Sequence, residues 1–226
     1  MNIFKNVMLT ITLAVLFGSC KKEDTDTTGV SSVAIINASP TLATYNTYLD
    51  GTKVIEGALP FGGAIPYVQV TAGSHTLKFT AETDPTTLLS KTITLEGNNA
   101  YSFFMINRNE DMDGLLISDN STSSSTEKAF IRFINLSPDA PALDLSLSNA
   151  AQNLVTNKSY KEASGFVEID PGTYSFDVKN DAGGVVMNTL GNSVLEAGKY
   201  YTFMSIGLVT PNDVEESFKL QVYPHK

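Results

Sequence analysis

"VEIDPGTYSFDVK", residues 167–179, decides how this chain is read. Tyr174, Phe176 and Val178 alternate with Ser175, Asp177 and Lys179, a period of two that puts one face of a strand in a core and the other in water. Val167 and Ile169 do the same around Glu168. Between the two runs, Asp170-Pro171-Gly172 ends strand pairing, since proline lacks the N–H that a ladder needs. The stretch therefore predicts strand, turn, strand, with a hairpin-type turn at "DPGT" (170–173). "TAGS" (71–74), "EGNN" (96–99) and "EAGK" (196–199) read as turns of the same type. In "ALDLSLS" (142–148), Leu143, Leu145 and Leu147 alternate with Asp144, Ser146 and Ser148. No stretch beyond the N-terminal segment shows a capped 3.6-residue period.

The chain repeats itself. "VAIINASPTLATYNTYLDG" (33–51) aligns with "IRFINLSPDAPALDLSLSN" (131–149), so that Asn37, Ser39 and Pro40 fall on Asn135, Ser137 and Pro138. "FGGAIPYVQVTAGSHTLKF" (61–79) aligns with "YKEASGFVEIDPGTYSFDV" (160–178), and "LEGNNAYSFFMI" (95–106) with "LEAGKYYTFMSI" (195–206). The offset moves only from 98 to 100 along the repeat, so small insertions separate two copies. About seven short strands per copy predict an all-β protein of two tandem antiparallel sandwich domains, Ig-like or transthyretin-like. The expected organisation is an export signal at 1–19, a tether at 20–30, sandwich repeats at 31–118 and 128–226, and a flexible polar linker, "DNSTSSSTE", at 119–127. In both copies a tyrosine, Tyr101 or Tyr201, follows a leucine by six positions across a turn. That resembles the tyrosine corner of Ig-like and fibronectin-like sandwiches and gives both phenols a structural role.

The first 20 residues divide as an export signal does, with Lys5, an apolar run over 7–17 that is too short to span a bilayer, and the small Gly18 and Ser19 before Cys20. "FGSC" (17–20) resembles a bacterial lipoprotein signal, although Phe17 stands where leucine is usual. The resemblance implies cleavage before Cys20 and acylation of that residue, and several acyl chains make a durable anchor. "KKEDTD" (21–26) is a solvated tether. It also resembles the signal that carries some Gram-negative lipoproteins to the outer face of the outer membrane, so surface display is expected, with the periplasmic face as the alternative.

"NLSPDAPALDL" (135–145), "VEIDPGTYSFDV" (167–178) and "LEAGKYYTF" (195–203) together resemble the domain of unknown function 4397, over nearly all of 31–226 and more closely in the second copy. The resemblance implies an extracytoplasmic β-sandwich and carries over no residue role.

Composition narrows the function. The formal charge is −9 with no basic cluster, which excludes nucleic acid and an anionic lipid surface as electrostatic partners. One cysteine permits neither an internal disulfide nor a thiolate metal cluster. GxSxG, HExxH and P-loop motifs are missing, so no enzyme and no cofactor are expected. "NEDMDG" (109–114) opens like a calcium loop, but Asn120 occupies the twelfth position where glutamate is needed, and a polar loop is the better reading. His75 is read as a strand ring and His225 as part of a fraying terminus. Asn37-Ala38-Ser39-Pro40 and its counterpart read as turns built by local side-chain bonds. The candidate binding residues are four aromatics opposite the clean apolar faces, Tyr48, Tyr67, Phe166 and Tyr200, which suit a protein interface or the face of a sugar. The expected role is a non-enzymatic binding or structural module of the envelope, with an envelope protein or glycan as partner. Carbohydrate capture, the alternative, requires Tyr48 and Tyr67 side by side in a groove.

Overall fold

Four segments depart from the two-residue alternation: 33–38, 101–106, 129–136 and 200–208 are apolar almost without interruption. A strand of that kind has both faces buried, and these four build the centre of the molecule. The computed structural model describes residues 29–123 and 125–225. The export segment, Cys20 and the tether as far as residue 28 lie outside them.

Sixteen strands follow one another with a single 3-10 turn, at Asn109–Asp111, as the helical element among the described residues. The first half contains β1 (Val30–Asn37), β2 (Tyr45–Leu49), β3 (Thr52–Lys53), β4 (Ala64–Thr71), β5 (Gly73–Ala81), β6 (Thr87–Leu95), β7 (Ala100–Ile106) and β8 (Asp113–Ser118). The second contains β9 (Ala129–Asn135), β10 (Leu143–Leu147), β11 (Asn153–Lys158), β12 (Val167–Ile169), β13 (Gly172–Asn180), β14 (Val186–Leu195), β15 (Tyr200–Ile206) and β16 (Lys219–Pro224). Each half is a sandwich. Its inner sheet runs β4-β1-β7-β8 or β12-β9-β15-β16, and its outer sheet β3-β2-β5-β6 or β11-β10-β13-β14. The strand order is the same in both halves. Each half has eight strands where about seven were expected, and the pairing is antiparallel except for β1 with β7 and β9 with β15.

Alternation along the four central strands sends their side chains to different cores. Val33, Ile35, Tyr101, Phe103 and Met105 pack inside the first sandwich, and Ile131, Phe133, Tyr201 and Phe203 inside the second. Their neighbours on the opposite face (Ala34, Ile36, Phe104, Ile106, Ile134, Leu136, Met204 and Ile206) form a third core, between the two inner sheets. Four sheets are thus stacked in order outer, inner, inner, outer. At about 1.5–3 kcal/mol for each large aliphatic or aromatic side chain removed from water, this shared core is smaller than either core it joins but still a substantial force holding the halves together.

The four turns read as hairpins are corners. "TAGS" takes the chain from inner strand β4 to outer strand β5, and "DPGT" from β12 to β13; "EGNN" and "EAGK" return it from β6 to β7 and from β14 to β15. Alternation shows which face of a strand is buried and says nothing of its hydrogen-bonding partner, so a tight turn between alternating runs fits a hairpin and a sheet-crossing corner equally. The two returning corners share a left-handed residue, Asn98 at φ 62° and Gly198 at φ 73°. The tyrosines close them. The Glu96 N–H donates to Tyr101 Oη at 3.2 Å, and the Glu196 N–H to Tyr201 Oη at 2.9 Å.

Two further readings are refined. Asn37 and Asn135 each accept the N–H of the serine two residues on, at 3.0 and 3.1 Å, and donate Nδ2 to loop carbonyls, which makes the Asn-x-Ser-Pro segments latched turns. Asp144 and Ser146, assigned to the wet face of β10, are buried. Asp144 accepts from Asn153 Nδ2 at 2.6 Å and from the Asn157 N–H at 2.8 Å, both on β11, whose pairing with β10 is irregular there.

Replacing Tyr201 by Phe removes one acceptor and little volume. We expect it to lower the unfolding free energy by about 1 kcal/mol with the denaturant dependence unchanged; an unaltered midpoint in urea would contradict the assignment.

Candidate functional site

At one end of the seam between the inner sheets, polar side chains replace the shared core. Arg132 lies on β9 in the middle of the apolar run "AFIRFIN" (129–135), where a charge is out of place unless something meets it. What meets it is Asp119, just past β8 of the other half. The two side chains are each 3% exposed, and Arg132 Nη2 donates to Asp119 Oδ1. Arg132 Nη1 also donates to the Ser118 carbonyl at 2.9 Å, and Nε to Thr202 Oγ1 at 2.8 Å.

From there the bonds close a ring. Thr202 Oγ1 lies 2.6 Å from His225 Nε2, and His225 Nδ1 lies 2.6 Å from Tyr67 Oη. Tyr67 donates to Asp119 Oδ2 at 2.7 Å, beside Ser102 Oγ at 2.8 Å. One assignment of protons satisfies every member. Arg132 donates to Thr202, Thr202 to Nε2 of a neutral His225, Nδ1–H of His225 to Tyr67, and Tyr67 to Asp119, which holds Arg132. Tyr67 and Asp119 come from the first half; Arg132, Thr202 and His225 come from the second.

The electrostatics follow from that geometry. Burial drives the pKa of His225 down to about 4, with Asp119 pulling against the shift and Arg132 reinforcing it. Burial, then the charge and hydrogen bond of Asp119, push the Tyr67 phenol well above the ordinary tyrosine range. His225 is buried and its N–H bonds the Tyr200 carbonyl at 2.8 Å, so the terminus expected to fray is pinned. The linker expected to be flexible is held at Asp119 and again at Ser123, whose carbonyl accepts the Tyr200 hydroxyl.

Three of the four candidate aromatics meet around this ring. Phe166 lies under the Arg132 guanidinium, 5.0 Å from ring centroid to Cζ, and edge-on to Tyr200 at 5.1 Å; Tyr200 stacks on Phe130 at 4.5 Å. Tyr67 is half-buried in the ring itself. Tyr48 stands apart on β2 of the outer sheet, beneath Lys78 Nζ at 4.3 Å. The groove that needed Tyr48 beside Tyr67 is therefore not formed, because the two lie on different sheets of one sandwich. Clefts of about 480 and 260 Å³ flank the ring, one between Tyr67, Asn120, Tyr200 and His225, the other between Arg132, Ser164 and Phe166.

The remaining candidates are engaged elsewhere. Nδ1 of His75 meets Asp50 Oδ2 at 2.6 Å and Nε2 meets the Thr71 carbonyl at 2.7 Å. Burial lowers the His75 pKa, but those hydrogen bonds outweigh it and the net shift is upward. In the "NEDMDG" loop, Asp113 is bound by Lys91 at 2.8 Å and Lys161 at 3.2 Å. The Lys91 bond is the main cause that holds its pKa at about 2. Among the described residues no cluster of three or more His, Cys, Asp or Glu has the geometry to hold a metal ion. Cys20 lies outside the described residues. Sequence reasoning missed Asp119, Arg132 and Thr202. The signal available was Arg132 itself, a lone cation inside a seven-residue buried strand.

The architecture is that of a double β-sandwich closed across a polar and apolar seam. The chain belongs to the family described as domain of unknown function (DUF4397), whose profile matches residues 31–146, just over half of the sequence. That span takes in β1 to β8 and continues through β9 into β10. A comparison with curated proteins gives no match. Among solved structures the chain is similar to a crystal structure of CBMbc (family CBM26) from Eubacterium rectale Amy13K in complex with maltoheptaose. The identity is 11% and the TM-score 0.28, over 86% of this chain and 97% of that one. A likeness of that size carries no argument about function.

The ring predicts a pH dependence. An unfolded His225 titrates near 6.5 and the folded one near 4, so the unfolded chain binds the extra proton between those values. Stability from this group is complete above about 6.5 and is lost as pH falls toward 4, by about 3 kcal/mol in total. His75 acts with the opposite sign. The His225→Gln variant isolates the effect: the wild-type advantage in unfolding free energy should shrink on going from pH 7.5 to 4.5, and an advantage independent of pH would contradict the ring.

Proposed function

We propose that this protein is a lipid-anchored module of the bacterial cell envelope, acylated at Cys20 and facing outward, that braces or binds other envelope components without chemistry of its own. The observation that supports this best is the engagement of its reactive side chains. Arg132, Asp119, Tyr67, Thr202 and His225 are bonded to one another across the seam, where their effect is to lock two sandwiches into one rigid body. An ion pair this deeply buried contributes little net stability, but loss of one partner is heavily destabilising, so it favours a single register of the two halves.

The direction of the strands supports the same reading. β1 runs parallel to β7, and β9 to β15. Thr41, just past the end of β1, bridges Glu215, past the end of β15, so the two parallel pairs finish at the same end of the stack. All four central strands therefore start at the end where the tether enters β1 and finish at the opposite end. A rigid stack of this kind on an N-terminal lipid holds the far loops, at 38–44, 107–113 and 207–217, away from the bilayer.

Two measurements test the reading together. Metabolic labelling with an alkyne fatty acid should mark the wild-type protein and not Cys20→Ser, and protease added to intact cells should remove the protein while a periplasmic control survives. Equal labelling of the Cys20→Ser variant would refute the anchor. Survival in intact cells with digestion after lysis would move the module to the periplasmic face.

A further inference from the structure

The far end of the stack combines exposed aliphatic side chains with unpaired carboxylates. Leu42 is 58% exposed, Val209 43% and Val214 67%. They sit on adjoining segments: the Leu42 N–H bonds the Val214 carbonyl, the Glu216 N–H bonds Pro40, and the Leu208 N–H bonds Glu216, so that 214–216 runs between 40–42 and 208. Half one and half two both contribute, which makes the patch a property of the assembled pair. Beside it the 108–111 turn separates two open clefts. One, of about 520 Å³, lies between Asn107, Met112, Asp113 and Pro138; the other, of about 200 Å³, lies between Thr41, Val214 and Glu215. Both share Arg108, Glu110 and Asp111.

Charge decides what fits there. The cations that touch this end are already paired, Arg108 with Glu215 at 2.5 Å and both Lys91 and Lys161 with Asp113. Glu110, Asp111, Asp213 and Glu216 have no ion-pair partner among the described residues. An anionic lipid or a second copy of this tip is repelled by such a rim. Exposed apolar side chains ringed by polar groups mark a protein contact.

We infer that this tip docks a protein segment in which an aliphatic or aromatic residue is flanked by lysine or arginine, the apolar side chain seating against Leu42 and Val214 and the cations reaching Glu110 and Asp111. The inference rests on the reading of the protein as a binding module and names the chemistry of its partner.

The test is selection of random phage-displayed peptides on the full-length chain, followed by binding measurements with the enriched peptides. We expect Lys or Arg around an apolar residue, affinity that falls with salt, and a loss of about tenfold or more in Leu42→Ser/Val214→Ser. The Glu110→Gln/Asp111→Asn variant alters an exposed turn without touching a core and should weaken the same peptides. Enrichment of acidic or uncharged motifs, or no enrichment, overturns the inference. Basic–apolar peptides that bind both variants as tightly as wild type also overturn it, while leaving the binding-module reading intact. The anchor fails separately, if Cys20 proves not to carry lipid.

Discussion

Burial of both faces of β1, β7, β9 and β15 is the constraint on which the rest of this molecule depends. A strand with two apolar faces needs a layer on each side. The outer sheets supply one layer. Among the described residues, the inner sheet of the other half supplies the second, where Ile36 and Phe104 pack in one cluster with Ile134 and Met204. The two sandwiches are therefore halves of a four-layer stack, and isolating one would expose the third core to water. The match of the family profile, which continues from the first half into β9 and β10, accords with a boundary that the packing does not respect.

An apolar seam alone is non-directional and tolerates sliding. The polar ring at one end of the seam does not. Arg132 has satisfied donors only when Asp119, Ser118 and Thr202 are all in place, and His225 requires both Thr202 and Tyr67. A shift of one residue would bury a cation without its partner, a penalty of several kcal/mol. The far end is pinned by a different device, short backbone pairing of 40–42 with 214–216 together with the Arg108–Glu215 ion pair. Between those two ends, relative motion of the halves has little room.

Much of the fold is legible in particular residues. Tyr174, Phe176 and Val178 mark a strand and its buried face. The repeated Leu-to-Tyr spacing marks both tyrosine corners, and Asn37 and Asn135 mark latched turns. Each of these depends on interactions within a few positions along the chain, or on a period that the chain itself displays. The turn at 170–173 shows where such reading stops. Asp-Pro-Gly ends β12 in the inner sheet and starts β13 in the outer one. A two-residue period is the same whether the next strand pairs with the last or crosses to the opposite sheet. The aromatics divide in the same way. Tyr67, Phe166 and Tyr200 were recognisable as rings without an obvious place in a single sandwich core, yet their place is a seam between halves.

What the sequence determined alone is the all-β class, most of the strands and the acidic, cysteine-poor character, because alternation, turn chemistry and charge are local properties. Tertiary structure decided the rest. It joined Arg132 to Asp119 and Tyr67 to His225, partners separated by 13 and 158 positions. It turned the terminal His225 from a fraying residue into the keystone of a ring, and it placed Leu42 beside Val214. These pairings arise because two inner sheets must cover one another, and which residues then face each other depends on the register of that contact, a quantity that no local pattern carries.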